Sequence, residues 1–176
     1  AGLSEWCSVD TLPPPGHFKR EHCIDFQCAN ASVDKKWCFI DFVLTYEGGY
    51  IFLEVDENQH RFGYNGPDGA GISCDAKRMA NVHTSLTIEF GAVGADPPSI
   101  HWMRYNPHAW HVDGVTITIP KVEREQRLCA FLESYEPSLA VSIGYAFYDY
   151  DTVYGLDVLS AEEFPDAFRE LVHNHE

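Results

Sequence analysis

The chain has 176 residues, 45% hydrophobic and 14% aromatic, which is enough to bury a core without disulfide staples and too apolar for a disordered tail. A formal charge of −15, from 27 acids against 12 bases, argues against a free-standing nucleic-acid binder. No apolar run approaches the roughly 20 residues of a membrane helix and no basic-then-apolar leader opens the chain, so a soluble intracellular protein, nuclear or cytoplasmic, is expected.

In chain order, residues 1–32, with Pro13-Pro14-Pro15-Gly16, read as an irregular N-terminal segment. Because the chain opens on alanine, this segment also reads as the stub of an upstream module. Six cysteines (7, 23, 28, 38, 74 and 129) are too scattered for a secreted disulfide framework. Cys38 and Cys129 fall in apolar periodic segments and are expected to be buried thiols, whereas Cys7, Cys23 and Cys28, near His17 and His22, make a candidate structural zinc site without regular knuckle spacing.

From residue 33 to 176 the pattern is that of a mixed α/β domain. "KKWCFIDFVLT" (35–45) reads as a strand, "EGG" (47–49) as a turn and "YIFLEVD" (50–56) as a second strand, together a hairpin. The glycine-rich stretch 61–71 reads as a functional loop. A helix beginning near Cys74 follows, with Met79, Val82, His83 and Leu86 on one face. "SIHWMRYN" (99–106) is a third strand, and 111–120 a turn with a short alternating strand. Pro120 opens a helix over 121–135 with Val122, Leu128, Phe131 and Leu132 as its apolar stripe. A strand over 139–150 and a helix over 160–174, interrupted at Pro165, complete the chain.

Charge is distributed unevenly along these elements. Residues 1–127 hold 17 acids and 11 bases (net −6), and residues 128–176 hold 10 acids and one base (net −9). The C-terminal third is therefore an acidic exterior, and the bases accompany the acid-rich hairpin.

The hairpin carries the chemistry. Glu54 and Asp56 share a face of their strand, and a two-residue turn at Gly48-Gly49 would set Asp41 opposite Asp56 and Val43 opposite Glu54. Carboxylates this close either share protons or neutralise a cation, and an all-oxygen set favours magnesium or manganese. Such a site, with His60 nearby to move protons, suits phosphodiester hydrolysis. The competing reading is a solvated acidic sheet face, although Asp41 lies inside the apolar "WCFIDFVL".

Asp41 in "FIDFVL", followed thirteen residues on by "LEVDENQH", resembles the PD-(D/E)XK nuclease superfamily, and within it the very-short-patch repair endonuclease branch. "EVDENQHRFGY", "CDAKRM" and "RYNPHAWHVDG" are similar to a set of endonuclease-like proteins of algae and giant viruses, with similarity from about Val33 to the C-terminus, including "IGYAFYDYD". The resemblance implies a restriction-endonuclease-like fold, a mixed central sheet with a hairpin core flanked by helices. It implies metal ligation by Asp41, Glu54 and the Val55 carbonyl, and a divalent-metal-dependent endonuclease acting on nucleic acid, DNA foremost. Asp56 stands where most of that superfamily has lysine, which makes Gln59 and His60 the substitutes; Glu21 is a further acid that a first helix would supply.

Arg78 is expected to clamp a phosphate or to pair with Asp75 one turn away, and Arg104 to contact substrate or form a buried ion pair. Tyr105 and Asn106 read as residues of the site's mouth or as a strand-ending Asn-Pro turn, and Trp110, between His108 and His111, as a surface loop or a stacking platform. An acidic nuclease would draw affinity from a homodimer or an upstream DNA-binding module. The alternative is a catalytically inactive binding or assembly module on the same fold.

Overall fold

The computed structural model describes residues 3–8, 11–26, 36–57, 71–112, 114–135, 141–147 and 156–160, with backbone alone for 71–77, 110, 112 and 156–160. The strands expected around the acid-rich hairpin form β3 (Trp37–Tyr46) and β4 (Gly49–Val55), rich in the branched and aromatic residues that suit a pleated surface. The helix expected near Cys74 is α1 (Gly71–Ala92), and the next strand is β5 (Ser99–Tyr105). The short alternating segment folds as a separate hairpin, β6 (Trp110–Val112) with β7 (Val115–Ile117), ahead of α2 (Lys121–Ser134) and β8 (Val141–Ala146).

Three further strands complete the picture. β1 (Ser4–Glu5) and β2 (His17–Asp25) come from the segment expected to be irregular, and β9 (Leu156–Ser160) pairs antiparallel with β8. The main sheet has the order β1-β2-β3-β4-β5-β8-β9. β2, β3 and β4 form an antiparallel meander, while β4, β5 and β8 run parallel, with α1 and α2 as the crossovers. This is the mixed α/β arrangement that the sequence pattern implied. The helix expected over 160–174 lies outside the described residues beyond Ser160, which ends β9. Among the described residues no helix is long and apolar enough to cross a membrane.

Two apolar layers sandwich the sheet. One joins Ile40, Val43, Phe52, Trp102 and Ile143 to Met79, Val82 and Leu86 of α1, with the Phe52 and Trp102 rings edge-to-face at 5.1 Å. Met79, Val82 and Leu86 thus occupy the expected face, and His83 beside them is half-buried. The other layer joins Ile51, Met103, Tyr105 and Phe147 to Leu128, Phe131 and Leu132 of α2. The inward stripe of α2 runs Arg124, Leu128, Phe131, Tyr135, and Val122, expected in it, is 65% exposed. Cys129, one position past Leu128 on the helix, faces solvent rather than the core, whereas Cys38 is buried as expected.

The hairpin register differs from the expectation by two residues. Tyr46 pairs with Gly49 and Phe42 with Leu53, so the turn is Glu47-Gly48 and the register continues to place Asp41 beside Glu54, not Asp56. The two glycines have separate jobs. Gly48 takes the left-handed φ of +92° that the turn needs. Gly49 is in the strand, where an added Cβ would strike the Tyr46 hydroxyl and the Ser99 carbonyl.

Candidate functional site

β4, β5 and β8 end together, and the carboxyl ends of parallel strands are where open α/β sheets place their ligands. Glu54 stands beside Arg104 in the β4–β5 register, and the chain continues through the Asp56 N–H, which donates to the Tyr105 carbonyl at 2.7 Å.

Asp41 reaches this place through a change of phase in two strands. In β2 the buried positions run Lys19, then His22 and Ile24; in β3 they run Cys38 and Ile40, then Val43 and Thr45. The alternation skips between Glu21 and Asp41, which face each other at the one rung missing from the β2–β3 ladder. Glu21 adopts φ +52°, the left-handed conformation that lets the strand change phase. A charge inside "FIDFVL" is thereby half-exposed instead of buried, and Asp41 Oδ2 accepts a hydrogen bond from the Val55 N–H at 2.8 Å. Beyond Asp41 opens a cleft of about 790 Å3 lined also by Glu5, Arg20, Glu21, Val55 and Glu57, with Arg20 paired to Glu5. Glu21, expected from a first helix, is therefore a strand residue across from Asp41.

Glu54 is 4% exposed and ion-pairs through Oε2 with the Arg78 guanidinium of α1 at 2.9 Å. Its other oxygen, Oε1, is buried and makes no hydrogen bond among the described residues. Burial lifts the Glu54 carboxyl to about 7; the Arg78 and Arg104 guanidiniums oppose the rise, and the charge of Asp41 adds to it. Of the two roles expected for Arg78, pairing with Asp75 falls on a side chain outside the described set, while contact with Glu54 is a third that the sequence pattern did not suggest.

Asp56 and Arg104 form a buried ion pair. Arg104 Nε and Nη2 donate to the two Asp56 oxygens at 2.5 and 2.7 Å, and the residues are 2% and 1% exposed. This realises the buried-ion-pair reading of Arg104. It also ties Asp56 into a fork that occupies both carboxylate oxygens.

Gln59 and His60 lie outside the described residues. So does Cys28 of the suggested zinc cluster; Cys7 and Cys23 are exposed free thiols. Burial and the neighbouring Lys19 push His22 down to about 4. Among the described residues no group of three or more His, Cys, Asp or Glu side chains is placed to hold a metal ion.

Sequence reasoning missed a polar brace under this end of the sheet. Arg124 is buried, and its guanidinium donates to the carbonyls of Asn106, Pro107 and His108 at 3.2, 2.7 and 2.6 Å. Asn106 is buried too: Nδ2 donates to the Phe147 carbonyl at 2.8 Å, and Oδ1 accepts from the His108 N–H. Phe147, at φ +65°, follows β8 in the left-handed region. The Asn106-Pro107 bend is thus a strand-ending turn, and His108 and His111 beyond it are exposed. One signal was available: Arg124 lies one helical turn before Leu128. Set against known protein families, curated proteins and solved structures, the chain matches none of them.

Proposed function

We propose that the chain is a divalent-cation-dependent endonuclease, hydrolysing nucleic-acid phosphodiesters at the carboxyl end of the sheet, with Asp41 and Glu54 as its acidic ligands. The observation that carries this reading is Glu54, a buried carboxylate beside Asp41 with an oxygen that no described group satisfies. A fold does not bury a bare carboxylate oxygen for stability, because desolvation opposes it. An ion with a high charge density compensates that penalty.

The donor set suits magnesium or manganese. Such ions prefer oxygen and are commonly held by one or two carboxylates, with water and substrate phosphate completing the shell. The Val55 carbonyl, in the last residue of β4, whose N–H donates to Asp41, is the backbone ligand that the resemblance implies. When bound, the ion would offset charge on phosphate oxygens and acidify a water. Arg78 would exchange its contact with Glu54 for the substrate phosphate, and Gln59 and His60 remain the candidates for orienting water and moving protons. Asp56 serves the fold instead, since with Arg104 it fixes the end of β4 against β5.

The antiparallel meander followed by a helical crossover to a parallel strand supports a restriction-endonuclease-like arrangement. DNA is the substrate this resemblance implies. With a net charge of −15, affinity for it would come from a second copy or an upstream module.

The buried Asp56–Arg104 pair and the Glu54–Arg78 contact favour a second reading, a non-catalytic binding or assembly module whose acids serve structure. Plasmid and single-stranded DNA incubated with manganese or magnesium separate the two. Cleavage that disappears with chelator, in Glu54→Gln and in Asp41→Asn supports the nuclease; no cleavage with either ion supports the module.

A further inference from the structure

The start of β3 reaches past the end of its neighbour. Phe42 pairs with Leu53, and that register continued sets Val55, the last residue of β4, level with Ile40. Trp37, Cys38 and Phe39 therefore extend beyond β4, paired on their other side with β2, Cys23 opposite Phe39 and Asp25 opposite Trp37. Ile24, Cys38 and Ile40 pack in the layer of α1, so Trp37 and Phe39, at the alternate positions, take the opposite face. Phe42, next to Val43 of the α1 layer, stands on that opposite face as well, and Val55 packs in the layer of α2. Both line the cleft beside Asp41. The two rings and the cleft thus open on one side of the sheet, with Phe39 two residues, about 7 Å of strand, from Asp41.

Trp37 and Phe39 are 43% and 50% exposed, and their rings meet edge to face with centroids 5.2 Å apart. The other exposed large apolar side chains among the described residues are all aliphatic. Together the two rings offer about 200 Å2 of apolar surface, a fraction of the ~800 Å2 that each partner of a stable protein interface buries. Cys23 and Asp25, both exposed, bound the pair on β2, and the acids of the cleft bound it along β3. A patch this small and flat suits stacked bases, whose faces are open to a protein in a single strand and closed in a duplex. Stacking also needs no positive charge, which matters in a chain of −15 whose cleft holds Glu5, Glu21, Asp41 and Glu57 against one arginine, itself paired to Glu5. Lys36, exposed and adjacent to Trp37, is a cation within reach of a phosphate at the outer end of the pair.

We propose that Trp37 and Phe39 are a stacking platform for single-stranded nucleic acid, holding bases on the extension of β2 and β3 and leading the adjoining phosphodiester toward Asp41. The inference rests on the nuclease reading and narrows its substrate class to unpaired strands.

The test is fluorescence anisotropy of labelled oligothymidylate, labelled oligouridylate and the DNA strand annealed to its complement, each titrated with the full chain in chelator. Both single strands should bind about tenfold or more tightly than the duplex, with a shallow dependence on salt. Tighter binding of one of them supports the platform and assigns it to DNA or to RNA. Trp37→Ala and Phe39→Ala, at exposed positions, should each weaken single-strand binding about tenfold with an unchanged Tm, and Trp37→Phe much less. Equal affinity for duplex and single strand, no binding by the wild type, or binding untouched when both rings are replaced by alanine would overturn the proposal. Cleavage in manganese separates it from the reading beneath it. Single strands that bind through the two rings and are never cut support the platform and refute the nuclease. Cutting of single strands that is undiminished in the double alanine variant refutes the platform and leaves the nuclease standing.

Discussion

Replacing Glu54 by glutamine should alter the pH dependence of stability in a defined window. Burial pushes the Glu54 carboxyl from an ordinary 4.5 to about 7, against the pull of Arg78 and Arg104 and with the charge of Asp41 adding to the rise. Between those values the folded protein retains a proton that the unfolded chain has released. The contribution to stability is therefore complete below about pH 4.5 and is lost as pH rises through 7. At about 1.4 kcal/mol per pH unit the loss is about 3 kcal/mol. Glutamine keeps the shape and does not titrate, and the other ionisable groups are common to both proteins. Urea unfolding from pH 4.5 to 8 should show wild-type stability falling relative to Glu54→Gln by about 3 kcal/mol across the window. A flat difference, or a wild type that gains on the mutant as pH rises, would refute the reasoning. Glu54 would then be a charged partner of Arg78 that stabilises the fold.

Other expected outcomes follow from single contacts. Asp56→Leu or Arg104→Met alone should lower stability by about 3–5 kcal/mol by stranding a buried charge, while the double variant should recover most of it; chemical denaturation of all four proteins closes the cycle. Gly49→Ala should cost about 1–3 kcal/mol, because its methyl group meets the Tyr46 hydroxyl and the Ser99 carbonyl, as a fall in Tm would show. Burial holds His101 down at about 3, with its Nδ1 2.7 Å from Ser142 Oγ and its ring 4.1 Å from that of Tyr135. Its contribution is present above the ordinary 6.5 and lost as pH falls toward 3. His101→Phe should thus lose about 3 kcal/mol less than wild type between pH 6.5 and 4, measured by unfolding at each pH.

The strands and helices that announce themselves by apolar period, β3 to β5, α1, α2 and β8, were legible in the sequence. What was not legible has particular causes. β2 reads "HFKREHCID", too polar to look like a strand, because it sits beside the sheet's margin and changes phase at Glu21. The hairpin register was misplaced because two adjacent glycines look like one turn, when one makes the turn and the other clears a close approach. The continued register still sets Asp41 beside Glu54. Asp56 was counted with the acidic patch because its partner, Arg104, comes from a strand 48 residues away. A sequence window shows charge density, but it does not show which charges neutralise one another.

The most direct test of the proposed site is calorimetric titration of manganese into wild type, Glu54→Gln and Asp41→Asn at pH 8, above the Glu54 pKa of about 7. The account predicts one saturable site in wild type, weakened at least tenfold in either variant, and weaker binding in wild type at pH 5.5, where Glu54 holds its proton. Equal binding in all three proteins, or none in wild type, would contradict it.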